Sequence, residues 1–337
     1  MTHTQQSSPQ IARPESLLDR RETLRASAAS LAALFSAATL PQASRAEEVA
    51  SLRSVHRLRD LGKSYSLWEK SAPPGSLPSF PTFERAIEAC RSAACGIHHR
   101  SNGVGVGCHS GFLVTIPKEN LTARGRANSY IVTCDHARSF DIKNSTIQII
   151  LSNGRTIHPR GELMEAIQPN GFPSKDLRVL ECDPKDTAGL AGLPLREISE
   201  PVAAQAPVII YEPLGARVST QFDSATGKIR PVVFRDDVPP LERFVLTSVS
   251  DPSNPKEKDP NYPANTGFMT HGQLHTGGSG SPAVLFQGDT FTVGGYQVGY
   301  IPNPQSEDSV DGELQCDGHL IHANNIISLL KRYRAWK

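Results

Sequence analysis

The sequence has few aromatic residues, almost no excess of charge of either sign, and no long apolar run. Phe, Trp and Tyr make up 6% of its 337 residues, and 35 Lys and Arg nearly balance 34 Asp and Glu. A balanced charge gives neither a footprint for nucleic acid nor an acidic tail. Since no stretch is apolar enough to span a bilayer comfortably, we expect a soluble mature chain without a membrane span.

Metal-binding patterns are also missing. The six cysteines include no CxxC pair and no Cys/His spacing typical of a zinc site. His271 and His275 lie four residues apart in a loop without nearby acids, a position typical of surface or pocket wall. We therefore predict neither a metal nor a cofactor. An even number of cysteines allows disulfides, but their spacing favours none of the fifteen possible pairings.

The first 46 residues differ from the rest of the chain. Arg20 and Arg21 precede an uncharged 15-residue stretch (26–40, ASAASLAALFSAATL), and Ser44 and Ala46 follow at the spacing that a signal peptidase reads. This order is typical of a secretory signal, and the paired arginines with weak hydrophobicity resemble a twin-arginine signal. We predict export to the periplasm or the exterior. A thylakoid-lumen address and an Ala-rich amphipathic helix of a cytosolic protein are the alternatives.

Glycine and proline, 26 of each, separate the chain beyond residue 95 into short apolar runs. Two series of strand-like runs are joined by a connector, and the last residues fit a helix with a basic final turn. The pattern predicts an all-β fold of two six-stranded antiparallel β-barrels with a C-terminal helix. The predicted divisions are a signal at 1–46, an N-terminal arm or linker with short helices at 47–95, a first barrel at 96–200, and a second barrel with the terminal helix at 201–337.

The stretch TGGSGSP (276–282) places two serines among three glycines, directly before the apolar run AVLF (283–286). Glycines allow a tight turn whose N–H groups point into one concavity, which can hold a developing oxyanion. A flexible linker is the alternative interpretation. A linker would not be anchored so closely by Pro282 and a buried strand.

A serine becomes a nucleophile when a base and an orienting carboxylate lie beside it. His136 follows the strand-like run SYIVTC (129–134), and Asp176 precedes the run LRVLEC (177–182). Each residue alone is more often structural. Together, in the order His, Asp, Ser, the stretches VTCDHA, KDLRVL and GGSGSP resemble those of the chymotrypsin/trypsin-like serine peptidases. The resemblance covers about residues 96–337 and implies a chymotrypsin-like pair of barrels.

The resemblance implies a role for each residue of this set. Ser279 would attack the scissile carbonyl, His136 would accept its proton, and Asp176 would orient His136. The main-chain N–H groups of Gly277 and Ser279 would form the oxyanion hole. Ser281 would be the less suitable nucleophile.

Substrate-binding residues follow from the same resemblance. Gln297, Val298 and Gly299 would form the strand edge that pairs with an extended peptide. Gln273 would lie at the base of the primary specificity pocket. Because this residue is not acidic, the resemblance does not imply a preference for Arg or Lys.

The chain departs from the family at Ala137, where secreted animal members carry a disulfide cysteine. Cys134 lies nearby, which leaves a disulfide with Cys108 on the neighbouring strand as a hypothesis. Asp135 should point to the opposite face of its strand, so Asp176 is the predicted orienting acid.

The predicted function is that of a serine endopeptidase that hydrolyses peptide bonds through an acyl-enzyme, with a protein or peptide as its substrate. Its activity should rise with pH as His136 loses its proton, near pH 6–7 for an ordinary imidazole. The alternative is a catalytically silent binding module on the same fold, with its cleft covered by the segments 115–128 and 251–268. An α/β-hydrolase esterase is excluded because its serine comes first and a helix follows it.

Overall fold

The computed structural model of this protein consists mainly of β-strands. It describes residues 55–57, 61–72, 75–102, 104–136, 145–164, 176–199, 202–213, 220–223, 228–231, 243–249, 267–272, 278–302 and 316–337. The predicted export signal lies outside these residues. No helix in the described part of the chain is long and apolar enough to cross a bilayer.

The described elements follow the chain in a fixed order. They are β1 (Val55–Arg57), α1 (Leu61–Ser71), α2 (Phe80–Ala93), β2 (Ala94–Ser101), β3 (Val104–Thr115), a 3-10 turn (Lys118–Asn120), α3 (Ala123–Ala127), β4 (Ser129–Cys134), β5 (Ser145–Leu151), β6 (Thr156–Ile157), β7 (Gly161–Met164), β8 (Leu177–Cys182), β9 (Leu193–Pro194), β10 (Pro207–Glu212), β11 (Thr220–Asp223), β12 (Lys228–Pro231), β13 (Arg243–Ser248), β14 (Gly267–Gly272), β15 (Pro282–Gln287), β16 (Thr290–Pro302), β17 (Cys316–His322) and α4 (Ala323–Arg332).

These strands form two large curled antiparallel sheets, each shaped as a half-barrel. The first has the order β6-β5-β2-β3-β4-β8-β7, and β9 pairs with β3 in the parallel direction. The second has the order β1-β13-β10-β15-β16-β17-β14. An isolated bridge between Val249 and Thr270 connects the end of β13 to β14, so the second sheet curls back on itself. The strands β11 and β12 form a separate hairpin.

The prediction of a mainly β fold with a C-terminal helix is therefore confirmed in its general form. Curled antiparallel sheets are what a barrel fold requires. The count of six strands in each barrel stays a prediction. The residues SNG (152–154), which are typical of a hairpin turn when they separate two apolar runs, lie between β5 and β6, where Gly154 has a φ of +80°.

Helix α2 packs its apolar face into the core that the two sheets share. Pro81 lies in its first turn, where a missing N–H group is tolerated. Its buried side chains recur at helical spacing and are Phe83, Ala86, Ile87, Cys90 and Ala93. The ring of Phe83 lies 6.1 Å from that of Phe244 in β13, while Ala93 leads directly into β2. The helix thus connects the second sheet to the first strand of the first sheet.

The C-terminal helix connects the sheets from the other end of the chain. The side chain of Asn324 accepts a hydrogen bond from the N–H of Ile198 and donates one to its C=O, at 3.0 and 2.8 Å. The hydroxyl of Tyr333 donates to the C=O of Met164 in β7. Helix α4, which follows β17 of the second sheet, is therefore bonded to the connector and to the first sheet.

The hypothesis of a disulfide between Cys108 and Cys134 is wrong. Neither cysteine is part of a disulfide and both are buried, as is also the case for Cys90, Cys95 and Cys182. In the register of β3 and β4, Phe112 lies opposite Val132. Continuing that register places Ser110, rather than Cys108, opposite Cys134, so the two sulfur atoms are not cross-strand neighbours.

We predict that Phe83→Ala lowers the free energy of unfolding by about 3–5 kcal/mol. The substitution removes a fully buried ring that contacts Tyr65 in α1 and Phe244 in β13. Phe80→Ala, on the exposed side of the same helix, is the matched control and should cost much less. Chemical denaturation of both variants measures the difference. Equal losses would contradict the packing of α2 between the sheets.

Candidate active site

Asp176 holds His136 through both its main chain and its ring. One carboxylate oxygen, Oδ1, accepts hydrogen bonds from the N–H groups of Asp135 and His136, at 2.8 and 2.5 Å. The other, Oδ2, lies 2.6 Å from Nδ1 of His136. An ionised carboxylate only accepts hydrogen bonds, so Nδ1 carries a proton and Nε2 is the ring nitrogen left to act as a base.

The local structure explains how this contact forms. β4 and β8 are antiparallel neighbours, with Cys134 opposite Leu177. His136 therefore follows the end of one strand at the point where Asp176 precedes the start of the other. Asp176 has a φ of +47°, in the left-handed region that Asp tolerates better than most residues. It is 4% exposed, whereas the His136 side chain is about half exposed.

The pKa of His136 is raised to about 11. Burial lowers it, but the hydrogen bonds that the ring makes to Asp176 and Cys134, and the attraction of these groups for the imidazolium, outweigh burial. The expectation of an ordinary imidazole that titrates near pH 6–7 is therefore corrected upward. The physical reason is that the buried carboxylate favours the charged imidazolium.

Ser279 lies in a tight turn that is bonded to both sheets. The N–H of Ser281 donates to the C=O of Gly278, and the N–H of Gly280 donates to the C=O of Gln297 in β16. The C=O of Ser279 itself accepts a hydrogen bond of 2.8 Å from the N–H of Ser110 in β3. The serine turn of the second sheet is thus attached to the first sheet.

A second bond connects this attachment to the histidine strand. The hydroxyl of Thr133 donates to the C=O of Ser110 at 2.7 Å, and Thr133 lies three residues before His136. The main chain of Ser279 and the end of β4 are therefore held by the same residue of β3. The structure brings His136 and Asp176 into direct contact, and it holds Ser279 through its main chain. The Oγ of Ser279 makes no hydrogen bond with any residue that the structure describes.

Gly280 has no room for a side chain. Its φ is +87°, and an added Cβ would lie 2.0 Å from the C=O oxygen of Ser110 and 2.7 Å from Oγ1 of Thr133. The close approach of the turn to β3 thus requires glycine at this position.

Gln297 is bonded to the serine turn through its main chain, since its N–H donates to the C=O of Ser281 and its C=O accepts from Gly280. Its side chain is 1% exposed and ends beside Gly278, together with the carboxylate of Glu212, which is fully buried. Val298 and Gly299 follow at a bulge in β16. Both main-chain polar groups of Gln297 are therefore already bonded to the serine turn.

The remaining predicted site residues are placed as follows. Gly277 and Gln273 lie outside the described residues. Ser281 is fully buried, and its hydroxyl has no hydrogen-bond partner among the described residues. No group of three or more His, Cys, Asp or Glu in the described part of the chain could hold a metal ion.

Sequence reasoning missed two features around the histidine. Cys134 places its Sγ 3.7 Å from Nε2 of His136. His109 lies buried in β3 with its ring stacked on His99, and its pKa is lowered by burial and by the positive charges of its neighbours, including His136 and Arg178. The short separation of Cys134 and His136 in the chain could have suggested their contact, but no local signal marks His109.

Two comparisons with known proteins give no match. No protein-family model matches the sequence, and neither does any curated protein.

We predict that Gly280→Ala lowers the free energy of unfolding by about 1–3 kcal/mol more than Gly288→Ala does. Both residues have positive φ, but nothing lies within 4 Å of the Cβ added at Gly288. The control therefore measures the cost of φ alone. Equal losses in thermal or urea unfolding would show that the serine turn does not press against Ser110.

We also predict that Asp176→Asn lowers the pKa of His136, because it removes the negative charge that favours the imidazolium. Titration of the imidazole by NMR measures the shift. Asp183→Asn, which changes a carboxylate paired with Arg160, should leave the His136 titration unchanged. In the wild type the neutral base forms only as the pH rises above the ordinary value of about 6.5. A wild-type midpoint at or below that value would contradict the contact with Asp176.

Proposed function

We propose that this chain is a serine endopeptidase that hydrolyses peptide bonds through an acyl-enzyme. The observation that carries the proposal is the pair of hydrogen bonds by which Asp176 holds the main chain and the ring of His136. His136 follows β4, which is bonded through Ser110 in β3 to the main chain of Ser279. A carboxylate that fixes an imidazole by two different bonds is the arrangement that general-base catalysis requires. The order His, Asp, Ser along the chain supports it.

In the proposed mechanism, Nε2 of His136 takes the proton of Ser279 as Oγ attacks the scissile carbonyl. The imidazolium is stabilised by Asp176, which keeps its own charge. The N–H groups of Gly277 and Ser279 receive the oxyanion, and each such donor contributes about 3–4 kcal/mol to the transition state. His136 then gives the proton to the leaving amine, and water repeats the sequence on the acyl-enzyme.

The fold and the location of the protein belong to the same proposal. We infer a chymotrypsin-like pair of six-stranded barrels, and the bridge between Val249 and Thr270 supports closure of the second one. We infer that a peptide substrate pairs with Val298 and Gly299 by strand addition. Export by a twin-arginine-like signal at 1–46 is part of the proposal.

Two observations at the proposed site favour the alternative of a silent binding module. Nε2 of His136 lies beside Cys134, and the Oγ of Ser279 has no hydrogen bond with the described residues. The segment 115–128, expected to cover the cleft in that alternative, contacts the C-terminal residues instead, where the hydroxyl of Thr122 donates to the C=O of Arg334. The peptidase is therefore the proposal that more of the contacts support.

A fluorophosphonate probe tests the proposal directly, because it reacts with an activated serine. Wild-type protein should be labelled, Ser279→Ala should not, and Ser281→Ala should keep its label as the matched control within the same turn. Asp176→Asn should slow peptide hydrolysis by about 10⁴-fold. Folded wild-type protein that takes no label would favour the binding module.

A further inference from the structure

The thiol of Cys134 lies beside the ring nitrogen of His136 that the proposed mechanism needs. Cys134 is the last residue of β4, and His136 follows it by two residues, just beyond the strand. Sγ of Cys134 lies 3.7 Å from Nε2 of His136, within the range of a hydrogen bond to sulfur. Cys134 is fully buried and is not part of a disulfide.

The tautomer of the ring makes this contact relevant to the proposed mechanism. Nδ1 is bonded to Asp176 at 2.6 Å, so Nε2 is the acceptor that must take the proton of Ser279. In the structure the group beside Nε2 is Sγ of Cys134. The serine hydroxyl has no hydrogen bond with the described residues, although its main chain is fixed against Ser110.

We propose that Cys134 is a positioning residue, which holds the imidazole of His136 in a resting orientation and is exchanged for Ser279 when the enzyme becomes active. This inference rests on the proposed peptidase function. In the resting orientation, Nε2–H of the protonated ring donates to Sγ of Cys134. In the active one, the ring has lost this proton to water and has turned towards Ser279, so that Nε2 accepts from Oγ of Ser279.

A nucleophilic role for the thiol does not fit the same observations. The Cys134 side chain is fully buried, whereas the neighbouring His136 ring is half exposed and Ser279 is partly exposed. A substrate carbonyl would therefore meet the serine before the sulfur. Sulfur is also a weak hydrogen-bond acceptor, so its exchange for a hydroxyl needs little energy.

Other charged and titratable groups also lie around His136 and influence its pKa. Asp176 approaches from the start of β8, and the charge of His109 in β3 couples to His136. Asp135 precedes the histidine and gives its N–H to Asp176. Substitution of Cys134 leaves these groups unchanged. Because the contact with Cys134 raises the pKa of His136, its removal should lower that pKa.

The test measures the labelling rate with a fluorophosphonate in wild type, Cys134→Ala and Cys134→Ser. Cys134→Ala should react about fivefold faster at its pH plateau, since one competing hydrogen bond is lost. Cys134→Ser keeps a hydroxyl that can accept from Nε2–H and should restore a rate near that of the wild type. Cys90→Ala, which removes a buried thiol in α2, controls for the general loss of a buried thiol and should not change the rate.

A second measurement does not depend on activity. NMR titration of His136 in Ser279→Ala, with and without Cys134→Ala, should show a lower pKa when the thiol is absent. An unchanged titration overturns the inference, as does an unchanged labelling rate in a chain that labels. If no variant is labelled, the peptidase proposal fails and the exchange step fails with it, while the titration still decides whether the thiol contacts the ring.

Discussion

The hydrogen bond from Ser110 to the C=O of Ser279 is the contact on which the proposed site depends. It attaches the turn that opens β15 in the second sheet to β3 in the first. Thr133 bonds to the same residue of β3 and lies on the strand that ends near His136. The bond leaves no space for a Cβ at Gly280, so the glycine there is a consequence of the close approach of two main chains. The geometry of a site built from two sheets therefore depends on the hydrogen bonds between those sheets.

The two helices that connect the sheets contribute to the same rigidity. α2 buries one face between them, and α4 bonds to the connector and to β7. Neither helix supplies a residue to the proposed catalytic set. Their packing instead fixes the distance between strands that carry it, and that distance decides whether an imidazole and an alcohol can exchange a proton.

The two ring nitrogens of His136 are held by contacts of different strength. Asp176 fixes the ring, selects its tautomer and raises its pKa, which makes the imidazolium stable but the neutral base scarcer at neutral pH. Cys134 adds a weak contact at Nε2. A ring held firmly at one nitrogen and weakly at the other can change partner by a small rotation. We thus infer that Asp176 orients the ring and that Cys134 holds it in the resting orientation.

Local pattern in the sequence was sufficient to predict short helices within 47–95, the hairpin turn at 152–154, and the positions of His136 after one strand and Asp176 before another. Periodicity and turn residues act over a few neighbouring positions, so no tertiary information was needed. It was insufficient for the disulfide hypothesis, which depended on the register between β3 and β4, and for the pKa of His136, which depends on charges brought from forty residues away. The sequence by itself determined which residues carry a base, an acid and a hydroxyl. Only the tertiary structure decided which of them touch, because pairing of strands remote in the chain sets those distances and chain order does not.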